Sequence, residues 1–427
     1  MLLVFCAFIV LILIGMPVAF SIGISGTLFF LLHLELPFTI PVQLAISQTQ
    51  NFALLAVPLF ILSGNFMNMT GITERLLRLS TVLTGHMRGG LAQVSIALAT
   101  LMGGVSGSCI ADAAMQTRIL GPEMLKRGFS KGYTAGILSY GSLMTPIIPP
   151  GIGFILYGTV GQVSIGRLFA GGILPGLLLW LSLAITVSMT AKKRGYKPER
   201  QKIARPREIV SSTFSSIWAV LFPVMLLVGL RFGLFTPSEI GSFAVMYSIA
   251  IGIFAYKELK WKTFKVALEG STLDIGAVMF LIALSGIFGY SIVWDRIPEL
   301  ISNLLLGAST NPYIVMIMIV IFLLIAGCFV DGSVLIIMLT PIFLPIATEL
   351  GFDPVHFGLV FIVTITIGNF TPPVGSAMYA VCSILDCPIP EYTRESIHFF
   401  MTVSLVCILL IFFPFLSLFI PNLMFGK

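Results

Sequence analysis

Four short segments of this chain hold the residues whose types and spacing could do chemistry. Gly103-Gly104-Val105-Ser106-Gly107-Ser108 and Gly327-Cys328-Phe329-Val330-Asp331-Gly332-Ser333 each interrupt a long apolar run. Glycine lets a chain turn back on itself with its backbone uncovered. The other two, Thr145-Pro146-Ile147-Ile148-Pro149-Pro150-Gly151 and Gly368-Asn369-Phe370-Thr371-Pro372-Pro373-Val374-Gly375, are built on proline pairs. Proline lacks an N–H and cannot continue a helix, so carbonyls one turn earlier lose their partner. Freed carbonyls and neighbouring hydroxyls are ligands for a small hard cation such as Na⁺, and half-helix N-termini, carrying roughly half a positive charge, suit an anion. Asp331 adds a carboxylate to the second glycine cluster. A buried Asp in hydrocarbon costs roughly 2.5–3.5 kcal/mol, which favours cation coordination over a structural role. Asp112, one turn beyond the first cluster, is balanced between a cavity-facing role and a structural hydrogen bond. Glycines also permit close helix packing, and prolines also make simple kinks. The recurrence of both patterns at matching places favours a binding role.

The elements that position these segments follow from composition. Of 427 residues, 57% are hydrophobic and only 10% charged, which excludes a water-exposed fold. A bilayer core of about 30 Å needs about 20 apolar residues per helix, and residues 168–191 and 399–426 carry no charge at all. Short alternating strands of a membrane barrel are missing, and long apolar runs satisfy their own backbone as helices. The net charge of +6 comes from basic residues in short loops, which reads as cytoplasmic loop bias and not as nucleic-acid binding. Six cysteines lie mostly in apolar runs without metal-ligand spacing and read as small hydrophobes. Trp218, Trp261 and Trp294 fall at expected membrane borders. Asp274 and Glu239 fall near expected helix starts, at the interface. The opening MLLVFCAFIVLILIG lacks a basic leader segment and reads as a first short membrane helix.

The chain repeats itself. At an offset of 223 residues Gly104 falls on Gly327, Pro122 on Pro345, Gly128-Phe129 on Gly351-Phe352 and Pro149-Pro150 on Pro372-Pro373. Two halves broken at corresponding places point to a repeat-built secondary transporter. Residues 118–131 hold four basic side chains against Glu123, whereas their partner 341–356 holds Glu349 and Asp353 with no Lys or Arg. Basic loops stay in the cytoplasm, so the halves should be inverted. The expected fold is an all-α polytopic membrane protein with two inverted-topology repeats, each with a re-entrant helical hairpin and a broken helix. The first repeat, 1–190, has scaffold helices in 1–71, an interfacial amphipathic arm at 72–90, hairpin and broken helix at 91–160 and a helix at 168–190. A basic cytoplasmic linker, 191–213, follows. The second repeat, 214–427, has scaffold helices in 214–293, an arm at 294–311, hairpin and broken helix at 312–385 and a helix at 397–420. Loop KELKWKTFK (257–265) should be cytoplasmic, both termini outside, and residues 1–33 either two helices or one kinked helix. This makes ten crossings and two hairpins.

No phosphate-binding GxxxxGK[ST], HExxH or GxSxG occurs, and the four histidines are scattered, so neither an enzyme nor an ATP-driven pump is expected. GGVSGSCIADAAM (103–115), LMTPIIPPG (143–151), PLFILSGNFM (58–67) and GNFTPPVG (368–375), in a pattern spanning the chain, resemble the large membrane (M) subunit of TRAP, or tripartite ATP-independent periplasmic, transporters. More distantly the hairpin and broken-helix pairs are similar to divalent anion/sodium symporters. The resemblance implies Na⁺-coupled uptake of a carboxylate solute in the bacterial inner membrane, with an elevator domain moving beside a scaffold. It also implies a periplasmic substrate-binding protein and a small four-helix membrane subunit, here a separate chain. Carried onto this sequence, one Na⁺ site falls among Gly103, Gly104, Ser106 and the break from Thr145 to Pro149. The other falls among Gly327, Asp331 and the break Gly368, Thr371 and Pro373. Solute is expected between them, near Ser106, Ser108, Thr145, Pro150 and Thr371. Sialic acid is the first expectation for the solute and a C4-dicarboxylate the second. The competing readings are a stand-alone carboxylate or gluconate-type permease, and a channel or assembly scaffold.

Overall fold

The computed structural model describes residues 2–309 and 311–426; Met1, Thr310 and Lys427, which fall within the expected repeats, lie outside them. All regular structure among the described residues is helical. The first half runs through α1 (Leu2–Leu13), α2 (Val18–Leu32), α3 (Ile40–Thr49), α4 (Ala56–Asn68), α5 (Ile72–Thr84), α6 (Leu91–Gly103), α7 (Cys109–Lys126), α8 (Lys131–Gly141), α9 (Ile152–Val160) and α10 (Ile165–Arg194). The second has α11 (Pro206–Ser215), α12 (Ile217–Arg231), α13 (Pro237–Ala250), α14 (Trp261–Trp294), α15 (Ile297–Ala308), α16 (Pro312–Phe329), α17 (Gly332–Glu349), α18 (Pro354–Asn369), α19 (Ser376–Leu385), α20 (Ile389–Phe412) and α21 (Phe415–Phe425). Six helices are long and apolar enough to cross a membrane, or up to eight if each of two bent pairs is one span. The short α1 and α2 and the interrupted α8–α9 and α18–α19 pass no length test singly, because their breaks divide each path.

The 223-residue offset reappears in the helix boundaries. α7 and α17 begin and end at equivalent residues, and α8 and α18 begin at equivalent residues. The same holds for the residues capping them. Ser108 and Asp331 cap α7 and α17, and Ser130 and Asp353 cap α8 and α18. The Pro149-Pro150 and Pro372-Pro373 bonds are both cis. Packing is exchanged between the halves: α7 lies on α19 while α17 lies on α9, and α4 lies on α13 while α2 lies on α14. Reciprocal contacts of this kind are what a two-fold relation produces.

The helix α10 shows that the halves are inverted. Its 30 residues make a rod about 45 Å long at 1.5 Å per residue. At its C-terminal end Arg194 pairs with Glu395, and nearby Arg127 of the α7–α8 turn pairs with Glu199 at 2.5 Å. At its N-terminal end Arg167 reaches Asn422 at 2.8 Å and Asp353 of the α17–α18 turn at 3.9 Å. The bases of the two hairpins therefore lie at opposite ends of one rod. The end at Arg194 gathers Lys192, Lys193, Lys197, Arg200, Lys202, Arg205 and Arg207.

Several elements differ from the sequence reading. Residues 2–32 are two helices, parted at Gly15 (φ +89°) and Pro17. Within the expected scaffold stretch 1–71, the helix from Ile40 bends by 54° at a 3₁₀ turn, Phe52–Leu55, whose start is capped by Asn51. The helix expected at 214 begins instead as a separate short helix, α11, with a 63° bend into α12. The expected loop 257–265 is helical from Trp261, making α14 one 34-residue helix. The last helix is broken at Phe413-Pro414, where the missing N–H of proline stops α20. The core is centred on α18, buried at every residue from Val355 to Asn369.

Candidate functional site

Each hairpin tip is seated on the break of its own half. In the first half α6 ends at Gly103, and a Cβ there would stand 2.8 Å from the Ile148 Cβ and 3.4 Å from the Met144 oxygen. Gly107 takes φ +64°, and a Cβ on it would lie 2.8 Å from the Pro150 oxygen. Thr145 Oγ1 donates to Asp112 Oδ2 at 2.8 Å, and Gln116 Nε2 donates to the same oxygen at 2.8 Å. Asp112 is buried behind the open cavity with Oδ2 in these two hydrogen bonds, and its Oδ1 has no partner among the described residues. In the second half Gly327 and Gly368 meet backbone to backbone, and Gly375 N donates to the Cys328 oxygen at 2.8 Å. Asp331 caps α17 by accepting from Ser333 N at 2.9 Å.

The two tips face each other across a cavity of about 310 Å³. Ser106 to Ala111 line it from the first tip and Asp331, Gly332 and Ser333 from the second, so the N-termini of α7 and α17 both border it. Thr366 and Asn369 close it from α18, and Asn65, Asn68 and Asp274 close it from α4 and α14. Gly64 of α4 allows the first tip to approach; a Cβ there would lie 3.3 Å from the Val105 oxygen. Among the described residues two carboxylates, Asp274 and Asp331, stand in the lining, and no Lys, Arg or His does. Ser106 Oγ and Asn369 Oδ1 are buried without a hydrogen-bond partner among the described residues. Among those residues no group of three His, Cys, Asp or Glu side chains could hold a metal ion. The unpartnered atoms here are oxygens, which suit a hard cation.

Of the residues expected to touch solute, Ser106 and Ser108 line the cavity and Thr145, Pro150 and Thr371 do not. Thr145 is occupied by Asp112, and Thr371 turns back on the Ile367 oxygen (2.7 Å) beside the Tyr140 hydroxyl (3.4 Å). Gly103, Gly327, Gly368 and Pro149 lie at the two tip–break junctions, whereas Gly104 faces Pro223 of α12, outside the first junction. Pro373 follows Pro372 in the second break. Sequence reasoning missed Asn65, Asn68 and Thr366, named Asn369 only as part of the second break, and put Asp274 at the interface. Asn65 and Asn68 share one helix face at i, i+3 in an apolar run, a signal that could have found them. Asp274, expected near a helix start at the interface, lies well inside α14, because that helix begins at Trp261, and it accepts from Asn65 Nδ2 at 3.0 Å.

Residues 5–416 match the family described as tripartite ATP-independent periplasmic transporter, DctM component. The sialic acid TRAP transporter large permease of Vibrio cholerae is 32% identical over 96% of each chain. The 2,3-diketo-L-gulonate TRAP transporter large permease of Escherichia coli is 33% identical over 94% of each. The C4-dicarboxylate TRAP transporter large permease of Pseudomonas aeruginosa is likewise 33% identical over 94% of each. The crystal structure of the Alcanivorax borkumensis YdaH transporter shares the fold, with a TM-score of 0.63 at 14% identity over 87% of each chain. The chain is a multi-pass membrane protein belonging to the DctM, or large-permease, family of TRAP transporters.

Proposed function

We propose that the cavity between the tips takes up an anionic carboxylate solute together with Na⁺, and that the hairpins and broken helices slide as an elevator against α4, α13 and α14. The observation that carries this reading is the lining itself. An anion entering a space that holds Asp274 and Asp331 and no basic side chain needs compensating positive charge. Two helix N-termini supply part of it; a co-bound cation supplies the rest. The oxygens available to Na⁺ are those of Ser106, Asp331 and Asn369 in the lining, Asp112 and Thr145 behind it, and the carbonyls of the breaks up to Pro149 and Pro373. With those charges balanced, α7 and α17 present main-chain N–H groups to the solute carboxylate while Asn65, Asn68, Ser108 and Ser333 meet its hydroxyls. Net inward charge gains about 2.3 kcal/mol per unit per 100 mV.

The three relatives are named for different carboxylates at nearly equal identity, so the class is better supported than any member of it. A lining with two carboxylates, many neutral polar side chains and no basic one suits a solute with one carboxylate and many hydroxyls better than one with two carboxylates, which puts sialic acid ahead of a C4-dicarboxylate. The solute would be delivered by a periplasmic binding protein, with a small membrane subunit completing the frame. The basic end of α10 would face the cytoplasm of the inner membrane. Gly426, whose oxygen accepts from Arg167, would then lie outside, as would the start of α1. Proteoliposome uptake tests the coupling: sialic acid should accumulate with a Na⁺ gradient, and uptake undiminished when K⁺ replaces Na⁺ would refute it. Membrane-impermeant thiol labelling tests the orientation. Leu34→Cys should react in intact cells and Asp386→Cys only after permeabilisation; the opposite pattern overturns it.

A further inference from the structure

A second polar cavity, of about 500 Å³, opens at the basic end between α5, residues 200–207 and α11. Arg78, Arg200, Arg205 and Arg207 line it with Glu208, Ser211 and Ser212. Arg200 is matched by Glu208 at 2.6 Å. Arg78, Arg205 and Arg207 have no carboxylate within ion-pair distance among the described residues. Three unmatched guanidiniums around one hollow repel one another and form a fork-shaped receptor for a phosphate group. The rim is apolar. Ile203 and Phe214 are each 71% exposed and Val210 is 53% exposed. Both α5 and α11 are amphipathic in sequence and pack on each other, as helices lying along a membrane surface do. A free anion would need the arginines but not this greasy border.

We propose that this pocket binds the headgroup phosphate of an anionic glycerophospholipid, whose acyl chains run down past Val210 and Phe214. Such a lipid would pin the arm α5 and the entry to α12 to the bilayer surface, holding the frame still. This is independent of which solute the central cavity carries. The test is native mass spectrometry of the purified full chain with phosphatidylglycerol or phosphatidylcholine of identical acyl chains. One phosphatidylglycerol should be retained and phosphatidylcholine should not. With each arginine contributing about five-fold, Arg78→Gln/Arg205→Gln/Arg207→Gln together should lower that affinity roughly a hundred-fold. The corresponding triple Lys variant should keep most of it, which separates loss of charge from misfolding, and Lys192→Gln/Lys193→Gln should change nothing. Equal retention by the triple Gln variant overturns the proposal. Complete displacement of the lipid by inorganic phosphate overturns it too, since the pocket would then be a site for the free ion.

Discussion

Replacing Gly368 by Ala tests whether the seating of a hairpin tip on its break controls ion uptake. A Cβ on Gly368 would stand 2.6 Å from the Gly327 Cα and carbonyl carbon and 2.9 Å from the Leu324 oxygen. Comfortable Cβ contacts begin at 3.4 Å, and all three obstacles are main-chain atoms that no rotamer change can move. The α16 end of the tip therefore has to withdraw from α18. Overpacking of this kind costs about 1–3 kcal/mol. Gly368 lies within α18, so the substitution also gains up to about 1 kcal/mol of helix propensity, whether or not the tip is seated. The penalty on the seated state alone is thus about 1–2 kcal/mol once partial relaxation is allowed, which corresponds to roughly 5- to 30-fold. The assay is Na⁺-dependent uptake in proteoliposomes. The Na⁺ concentration giving half-maximal rate should rise by up to that factor while maximal uptake at saturating Na⁺ is largely retained. Gly327→Ala probes the same contact, so the double variant should fall well short of the two effects added. Gly289→Ala in α14 meets nothing within 4 Å and should behave as wild type. A Gly368→Ala protein that is monodisperse and shows unchanged Na⁺ dependence would refute the reasoning.

Three further substitutions follow from named contacts. Asp331→Ser puts the residue of its repeat mate Ser108 at the cap of α17. Ser caps about as well as Asp, so thermal stability should hold while Na⁺ cooperativity falls; unaltered cooperativity would remove Asp331 from the ion site. Thr145→Val deletes a donor to the buried Asp112 at nearly constant volume, which should cost about 1–3 kcal/mol and lower the melting temperature in detergent; an unshifted melt would show that the bond contributes nothing. Tyr196→Leu removes a ring stacked on Phe129 at 4.1 Å and a hydroxyl accepting from Ser130 N at 3.3 Å. About 1–2 kcal/mol of local anchoring should go, seen as faster tryptic cleavage after Lys197, Arg200 or Lys202 with little change in global melting; equal cleavage rates would place the anchor elsewhere.

What the sequence disclosed is whatever glycine, proline and charge disclose. Gly103-Gly104 and Gly327, Pro149-Pro150 and Pro372-Pro373 mark where helices must stop, because those residues act on the backbone whatever surrounds them. The charge contrast between the two α-hairpin bases likewise acts without tertiary context. Contacts between distant helices leave no such trace. Lys260, Lys262 and Lys265 read as loop, yet Lys260 is the N-cap of α14 and Lys262 and Lys265 lie in its first turns, so Asp274 falls well inside the helix, at the cavity wall and not at a helix start. The bend between α11 and α12 falls at Ser216, with neither Gly nor Pro to announce it; Ser216 Oγ donates instead to the Arg75 oxygen of the arm α5 at 3.1 Å. Gly104, an expected ion ligand, is small because Pro223 of α12 abuts it. That a glycine is required could be read from the chain; whether it admits an ion or a proline ring could not.

The two halves solve the same seating problem with different atoms, and that difference bears on what they hold. In the first, tip and break are joined through side chains: Asp112 of α7 accepts from Thr145, and Gly103 lies on Ile148. At the equivalent places of the second stand Leu335 and Gly368, so the polar pair is absent and the main chains of Gly327 and Gly368 close directly. The charge has moved rather than vanished. The carboxylate that the first half buries behind its tip, the second carries at the cap itself, where Asp331 replaces Ser108 and faces the cavity. Inversion of the repeat requires equivalent backbones at mid-depth, and the matched helix boundaries provide them. It does not require equivalent ligands. A pair of ion sites built on these tips would therefore be unequal, one with its carboxylate held by Thr145 and Gln116 and shut away from the solute, the other with its carboxylate in the solute's own cavity. Coulomb attraction falls with distance and is strongest where solvent is excluded, so it is the second site whose occupancy the solute should feel.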